Sequence, residues 1–259
     1  MLILDQPFVS NYMVQTILEQ GLPVINTAQA ATLDLPVGTR LLSEQTVVRC
    51  FEEDPSMLLY SNSENSLDWV GKNLAFSDLP RQISLLKDKV RFRRLLAPLY
   101  PDFEFSSVAA RDLDRLDAAA LPLPFIIKPA IGFFSIGVHK VNTAEEWPAT
   151  LALIKRELAE VKAAFPAQVL DTTTFIVEAN IRGDEYAIDA YYDDVRRPVI
   201  VNVLQHPFSS AVDVSDRAYI SSKAIIGRHF AQFEALLGEI GRLAGLRIFP
   251  VHAEMRVSE

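Results

Sequence analysis

The stretch FIIKPAIGFFSIGV, from Phe125 to Val138, restricts this chain more than any other. Its apolar opening, Phe125, Ile126 and Ile127, predicts a buried strand with Lys128 at the strand's end. The chain then turns through Gly132, Ser135 and Gly137 and returns to strand at Val138. Glycines at such a turn let backbone N–H groups approach an anion closely, and a serine adds a hydroxyl donor. A lysine beside them supplies a full positive charge that no backbone dipole matches. Two familiar phosphate loops are excluded. There is no G-x-G-x-x-G fingerprint, and the lysine precedes the glycines instead of following them in a G-K-[ST] run. A tight β-hairpin with a lysine laid along its surface accounts for the same residues, so both readings stay open on this stretch alone.

The rest of the composition narrows the class. With 259 residues, 49% of them apolar, the chain can bury one large core or a few small ones. A net charge of −8 argues against general nucleic-acid binding. A single cysteine, Cys50, excludes an internal disulfide framework and fits a reducing, cytoplasmic setting. No apolar run reaches the length of a membrane span, and MLILDQPF carries an acid where a secretory leader carries positive charge.

Residues 1–86 alternate strand and helix signals: Leu2–Leu4, a helix from Tyr12 to Gln20, Leu22–Ile25, a helix from Ser43 to Phe51 capped by Ser43, Met57–Tyr60, and a helix from Ser66 to Leu74. Such alternation predicts a small parallel sheet with a ligand at the carboxyl ends of its strands. Asp5, Gln6, Asn26, Thr27, Ser61 and Asn62 sit there, and ordinary polar turns explain them equally well. One helix is expected from Leu79 to Leu96, with Lys87, Lys89, Arg91, Arg93 and Arg94 forming a solvated basic face. A short helix is expected at Asp112–Ala120. Thr143 and Glu146 form a capping-box pattern before a helix whose apolar stripe is Trp147, Leu151, Ile154, Leu158, Val161 and Phe165. Phe175–Glu178 reads as a strand, Glu185–Tyr192 as an alternating one, and Pro198–His206 as another. Asp213 to Lys223 reads as a polar loop and strand, His229–Leu243 as a helix ending at Gly245, and Ile248–Val257 as a last strand.

Four features fall in a fixed order: Asp88-Lys89 on a helix, Lys128-Pro129 with the glycine–serine loop, a Val177-Glu178 strand followed by Gly183 and Glu185, and His252-x-Glu254-x-Arg256 near the end. This order resembles the ATP-grasp superfamily, with a feel closest to the carboxylate–amine ligases. The resemblance implies an α/β chain with an α+β lid. A Rossmann-like domain at 1–86 precedes a lid region at 87–180 and a body at 181–259 that stops short of the family's Glu-x-Asn strand, as a truncated chain would. It further implies ATP and Mg²⁺. Lys89 and Lys128 would reach the phosphates, with Lys87 the rival for the first role, under a loop of Gly132, Ser135 and Gly137. Glu178, Ala179 and Ile181 would meet the adenine and Glu185 the ribose. Glu254 would hold the metal, and Arg256 and Lys223, with Arg217 beside it, would serve the transferred group. The implied activity joins a small-molecule carboxylate to an amine through an acylphosphate, in a cytoplasmic homodimer or beside a partner subunit. A non-catalytic nucleotide-binding subunit and an ATP-grasp kinase are the alternatives. His206 stands at the end of its strand as a lone histidine, structural or catalytic.

Overall fold

Three separate sheets organise the chain. The computed structural model describes residues 1–6, 8–132, 137–161, 171–208 and 218–258. Ser135, Phe165 and Arg217 therefore lie outside the described residues.

The first sheet is parallel, with strands β1 (Leu2–Ile3), β2 (Val24–Ile25), β3 (Leu41–Leu42) and β4 (Tyr60–Ser61) in the order β3-β2-β1-β4. Helix α1 (Asn11–Glu19) connects β1 to β2, α2 (Glu44–Glu53) connects β3 to β4, and α3 (Leu67–Asn73) follows β4. Ser43 caps α2 by accepting the Thr46 N–H, as its sequence pattern predicts. Ile3, Ile25, Val47, Phe51, Val70 and Leu74 close one core on β1 and β2, the two fully buried strands, while β3 and β4 stay partly exposed. The third strand of the reading is displaced to Tyr60–Ser61, and β3, only two residues long, has no periodicity to announce it.

The expected single helix from Leu79 to Leu96 is two, α4 (Leu79–Lys87) and α5 (Lys89–Leu96). Asp88 breaks them. Its backbone is extended, at φ −79° and ψ 106°, and its carboxylate accepts the N–H groups of Val90 and Arg91. An aspartate that can bond the next turn's N–H groups is a better cap than a helix interior residue. The expected helix at Asp112–Ala120 is likewise replaced by two short 3₁₀ turns, Ala110–Arg115 and Ala118–Ala120. Leu116 is extended between them, and Asp117 caps the second.

The second sheet has the order β5-β8-β6-β7, built from β5 (Phe105–Ala109), β6 (Phe125–Ile131), β7 (His139–Val141) and β8 (Asp171–Ala179). Strand β6 does not stop at Lys128. It continues through Pro129, which needs no hydrogen bond to give, and Lys128 lies mid-strand opposite Ile176. Phe125, Ile127, Phe175 and Val177 on one face pack on Trp147 and Ile154 of α6 (Trp147–Val161). Ahead of α6 the Glu146 carboxylate does reach back, but to the Asn142 N–H at 2.8 Å, while the Thr143 hydroxyl makes no capping bond.

The third sheet, antiparallel in the order β10-β9-β11, joins β9 (Asp184–Tyr192), β10 (Pro198–His206) and β11 (Phe249–Val257). Tyr186, Ile188 and Tyr192 point to one face and pack on Phe233, Leu237 and Ile240 of α7 (Lys223–Ala244), each buried side chain contributing about 1.5–3 kcal/mol. The Tyr192 hydroxyl donates to Leu237 O at 2.7 Å, and Gly241 lies against its ring, where any Cβ would collide. Helix α7 starts six residues earlier than the pattern predicts, because the Ser222 hydroxyl accepts the Ile225 N–H. No helix among the described residues is long and apolar enough to cross a membrane.

Candidate functional site

Helix α5 meets the lid sheet on the face opposite α6. Val90 packs there with Ala130 and Ile176, and this contact brings two cations of α5 to the sheet. Lys89 donates from Nζ to Gly132 O at 3.1 Å, at the end of β6. Arg93, one helical turn on, donates from Nε to Glu178 Oε2 at 2.7 Å. The other oxygen, Oε1, takes Lys128 Nζ at 2.6 Å. Glu178 is thus buried at 4% exposure with both oxygens engaged by cations. Burial pushes its carboxyl upward, but the charges and hydrogen bonds of Lys128 and Arg93 outweigh burial and hold it down to about 2. Lys89 responds in the other direction. Burial and then the charge of Lys128 pull its ammonium down to about 8, with Glu254 opposing them.

The body sheet faces the same cleft with alternate residues of β9 and β11. Glu185 stands between His206 on β10 and Arg256 on β11, the strand register placing all three side by side. His206 Nδ1 lies 2.8 Å from Glu185 Oε1, and Arg256 donates to Oε2 at 2.7 and 2.9 Å. The buried His206 ring stacks on Tyr219 at 4.6 Å, and the Arg256 guanidinium lies over Phe208 at 5.2 Å. Farther along β11, Glu254 and His252 share the exposed face, and His252 Nδ1 meets Asp189 Oδ1 at 2.8 Å.

These two faces, together with α4 and the N-terminal residues 58–64, line a cleft of about 2000 Å³. Lys89, Lys128, Gly132 and Glu178 line it from the lid side. Ala179 and Ile181 line it at the crossover, and Glu185, Glu254 and Arg256 from the body. Gly137, at φ +70° against Pro129, and the exposed Lys223 at the start of α7 are not among the lining residues. Lys87 lines the cleft, paired with Glu64 at 2.6 Å. Arg93 was read as part of a solvated basic face and is instead paired with a buried carboxylate. Its i+4 spacing from Lys89 was the available signal.

The donor set suits a polyphosphate: two lysines converge, and at Lys89, where burial makes the positive charge costly, an entering anion would lower that cost. For a metal the set is sparse. Among the described residues no group of three or more His, Cys, Asp or Glu side chains could hold an ion, and Glu254 offers one carboxylate oxygen donor of the hard kind Mg²⁺ accepts. Glu254 by itself does not make a metal site; a Mg²⁺ ion here would need further oxygen donors from a bound ligand.

The sequence profile of the ATP-grasp domain matches residues 121–259, more than half of the chain. No curated protein is matched by the sequence. Among solved structures, the chain is similar to an L-amino acid ligase from Bacillus licheniformis, at 17% identity and a TM-score of 0.69, over 100% of this chain and 64% of that one. It is also similar to a biotin carboxylase from Campylobacter jejuni in a β-γ-ATP complex, at 12% identity and a TM-score of 0.65, over 100% and 62%. A third is the biotin carboxylase domain dimer of the Hydrogenobacter thermophilus 2-oxoglutarate carboxylase, solved with MgADP, ADP and bicarbonate, at 10% identity and a TM-score of 0.65, over 98% and 60%. The chain spans less than two thirds of each of these proteins. At such identities the likeness is one of fold alone; the profile match over more than half of the chain shows the family, and this chain belongs to the ATP-grasp family.

Proposed function

We propose that the chain binds ATP in the cleft between the lid and body sheets and acts in an ATP- and Mg²⁺-dependent ligase that activates a carboxylate as an acylphosphate for attack by an amine. The observation that carries this reading is the convergence of Lys89 and Lys128 with Glu254 and Arg256 on one cleft. In this proposal Lys89 and Lys128 hold the phosphates, under the loop of Gly132, Ser135 and Gly137. The purine meets the crossover at Ala179 and Ile181. The Ala179 N–H is committed to Glu104 O at 2.9 Å and the Asn180 N–H to Pro124 O at 3.2 Å, so neither serves the base. The Glu178 carboxylate is engaged by cations and its backbone pairs with Ile126 in the β6–β8 ladder, so Glu178 would border the purine without bonding it. Glu185, oriented by His206 and Arg256, takes the ribose hydroxyls. Glu254 would hold the metal, whose contribution when bound is to withdraw charge from the phosphate oxygens. Arg256 offers its remaining N–H groups to the acceptor's carboxylate. Lys223 keeps a catalytic role only if the acceptor extends to the start of α7. No side-chain nucleophile is needed, since positioning and charge neutralisation carry phosphoryl transfer.

The units at 1–86, 87–180 and 181–259 belong to the same proposal, as do a cytoplasmic setting and assembly as a homodimer or with a partner subunit. One observation favours a second reading, a non-catalytic nucleotide-binding subunit: among the described residues no group of three or more His, Cys, Asp or Glu side chains could hold a metal. An ADP-release assay over pooled carboxylic acids and amino acids tests both. ADP with a new amide supports the ligase. ADP with a phosphorylated product makes it a kinase. ATP that protects the protein from heat without being consumed makes it a binding subunit, and no protection overturns the ATP site itself.

A further inference from the structure

We infer that Arg93 is a positioning residue for the phosphate-facing lysine Lys128, acting through the buried carboxylate of Glu178; the inference rests on the ATP-binding reading above. Lys128 and Glu178 are not direct cross-strand partners. Lys128 pairs with Ile176, and Glu178 with Ile126, so the lysine must lean diagonally across the β6–β8 ladder to reach Oε1. The position of that oxygen therefore decides where the ammonium stands in the cleft. The position of Glu178 is in turn fixed from the far side by Arg93, whose Nε holds Oε2. Arg93 has little freedom of its own. Its stem rises from α5 and its guanidinium lies over the Phe103 ring, 4.8 Å from the centroid.

The charges make the arrangement more than a staple. A Lys128–Glu178 pair alone would be neutral, and its lysine would have little to offer an anion. With Arg93 two cations share one carboxylate, and the trio keeps a net charge of about +1. The Lys128 charge is felt by its lid-side neighbour Lys89, for which it is the second cause, after burial, of the lowered ammonium. One turn of α5 thus supplies one phosphate lysine directly, Lys89, and sets the other at a distance, Lys128. Motion of α5 against the lid sheet would move both lysines together.

The test is calorimetric titration of ATP and of adenosine into the full chain and its Arg93→Met variant. Wild type binding ATP more tightly than adenosine is the starting condition, and its failure overturns the ATP site and this inference with it. Arg93→Met is expected to weaken ATP about tenfold, the loss of one charge-assisted contact, while adenosine changes less than about twofold. Arg93→Lys, which keeps the charge, recovers most of the loss. Adding Glu178→Gln to Arg93→Met costs less than the two single changes summed, because both act through one oxygen pair. Should Arg93→Met fail to fold, Arg93→Gln carries the same comparison. Equal losses for ATP and adenosine, or an unchanged ATP affinity, overturn the positioning role in a protein whose ATP site stands.

Discussion

At the carboxyl ends of the N-terminal parallel strands, polar side chains spend their hydrogen bonds on one another's backbone. Asn62 accepts the Asp5 N–H at 2.9 Å and donates to Asp5 O and Phe8 O at 2.8 and 3.0 Å. Ser63 donates to Gln6 O, Ser66 donates to Ser63 O, and the Thr27 hydroxyl accepts the Ala30 N–H. Around the central cleft the balance differs. Lys89, Arg93 and Lys128 face Glu178 and Glu254, and Lys89's ammonium is lowered by burial first and by the charge of Lys128 second. Both regions carry polar residues at strand ends of an α/β fold. Only in the second do charges remain that a ligand could compensate. The residue types at a strand end are therefore a weak signal, and the account of what each group already bonds is a strong one.

The sharpest way to break this contrast is to exchange the regions' fates by mutation. Lys128→Met should weaken ATP about a hundredfold, since it removes a charged contact, and should lower unfolding stability as well, since the buried Glu178 carboxylate keeps only Arg93 of its two cation partners. Titration calorimetry reads the loss. A Lys128→Met protein that binds ATP as wild type does would place the nucleotide elsewhere. Asn62→Ala should act on stability alone. It breaks three bonds between the β1 and β4 loops and should cost about 2 kcal/mol in denaturant unfolding, with ATP affinity unchanged. Asn62 borders the same cleft, so loss of ATP binding in that variant would mean that the nucleotide contacts the N-terminal strand ends directly.

Much of the fold could be read from the chain because its signals are local. Tyr186, Ile188, Ala190 and Tyr192 alternate in sequence and are all buried on one face. Ser43 caps the helix it precedes. What escaped depends on distant partners. Nothing near Arg93 announces that its carboxylate is 85 residues away in β8. His206 could be noticed as a lone histidine, but its bond to Glu185 follows from β9–β10 register, which a sequence does not print. Asp88-Lys89 was legible as a motif and misread as a helix interior, because Asp88's two capping bonds, not its neighbours' periodicity, decide the break.

A smaller effect, expected from the charge at Lys89, sharpens the contrast by pH. Its ammonium is lowered from 10.5 to about 8, so the free protein loses this charge as pH rises through 8. ATP affinity should fall about tenfold between roughly pH 7 and 9, trailing upward because a bound anion favours the protonated form. Folding stability should move the other way. A buried ammonium whose folded value is lowered penalises the native state below about pH 8, and that penalty fades as pH rises toward 10.5. Lys89→Met should flatten both slopes. Parallel slopes in binding and stability, or a slope that survives Lys89→Met, would assign the titration to another group.

The smallest effect concerns a polar group that is neither spent nor available. The Tyr186 hydroxyl is fully buried and has no hydrogen-bond partner among the described residues. Its ring packs against His229 and Phe233, centroids 5.4 and 5.2 Å away, in the core beneath the body sheet. Like the cleft lysines it has unmet capacity, yet it is neutral and enclosed, so no ligand can reach it. Removing it should be close to free. Tyr186→Phe keeps the ring and deletes an unsatisfied donor, and thermal unfolding should shift toward equal or greater stability by less than about 1 kcal/mol, with ATP affinity unmoved. A destabilisation well above that figure would mean the hydroxyl has a partner after all. The body sheet would then rest on a polar bond, as it already does at Tyr192, and not on packing alone.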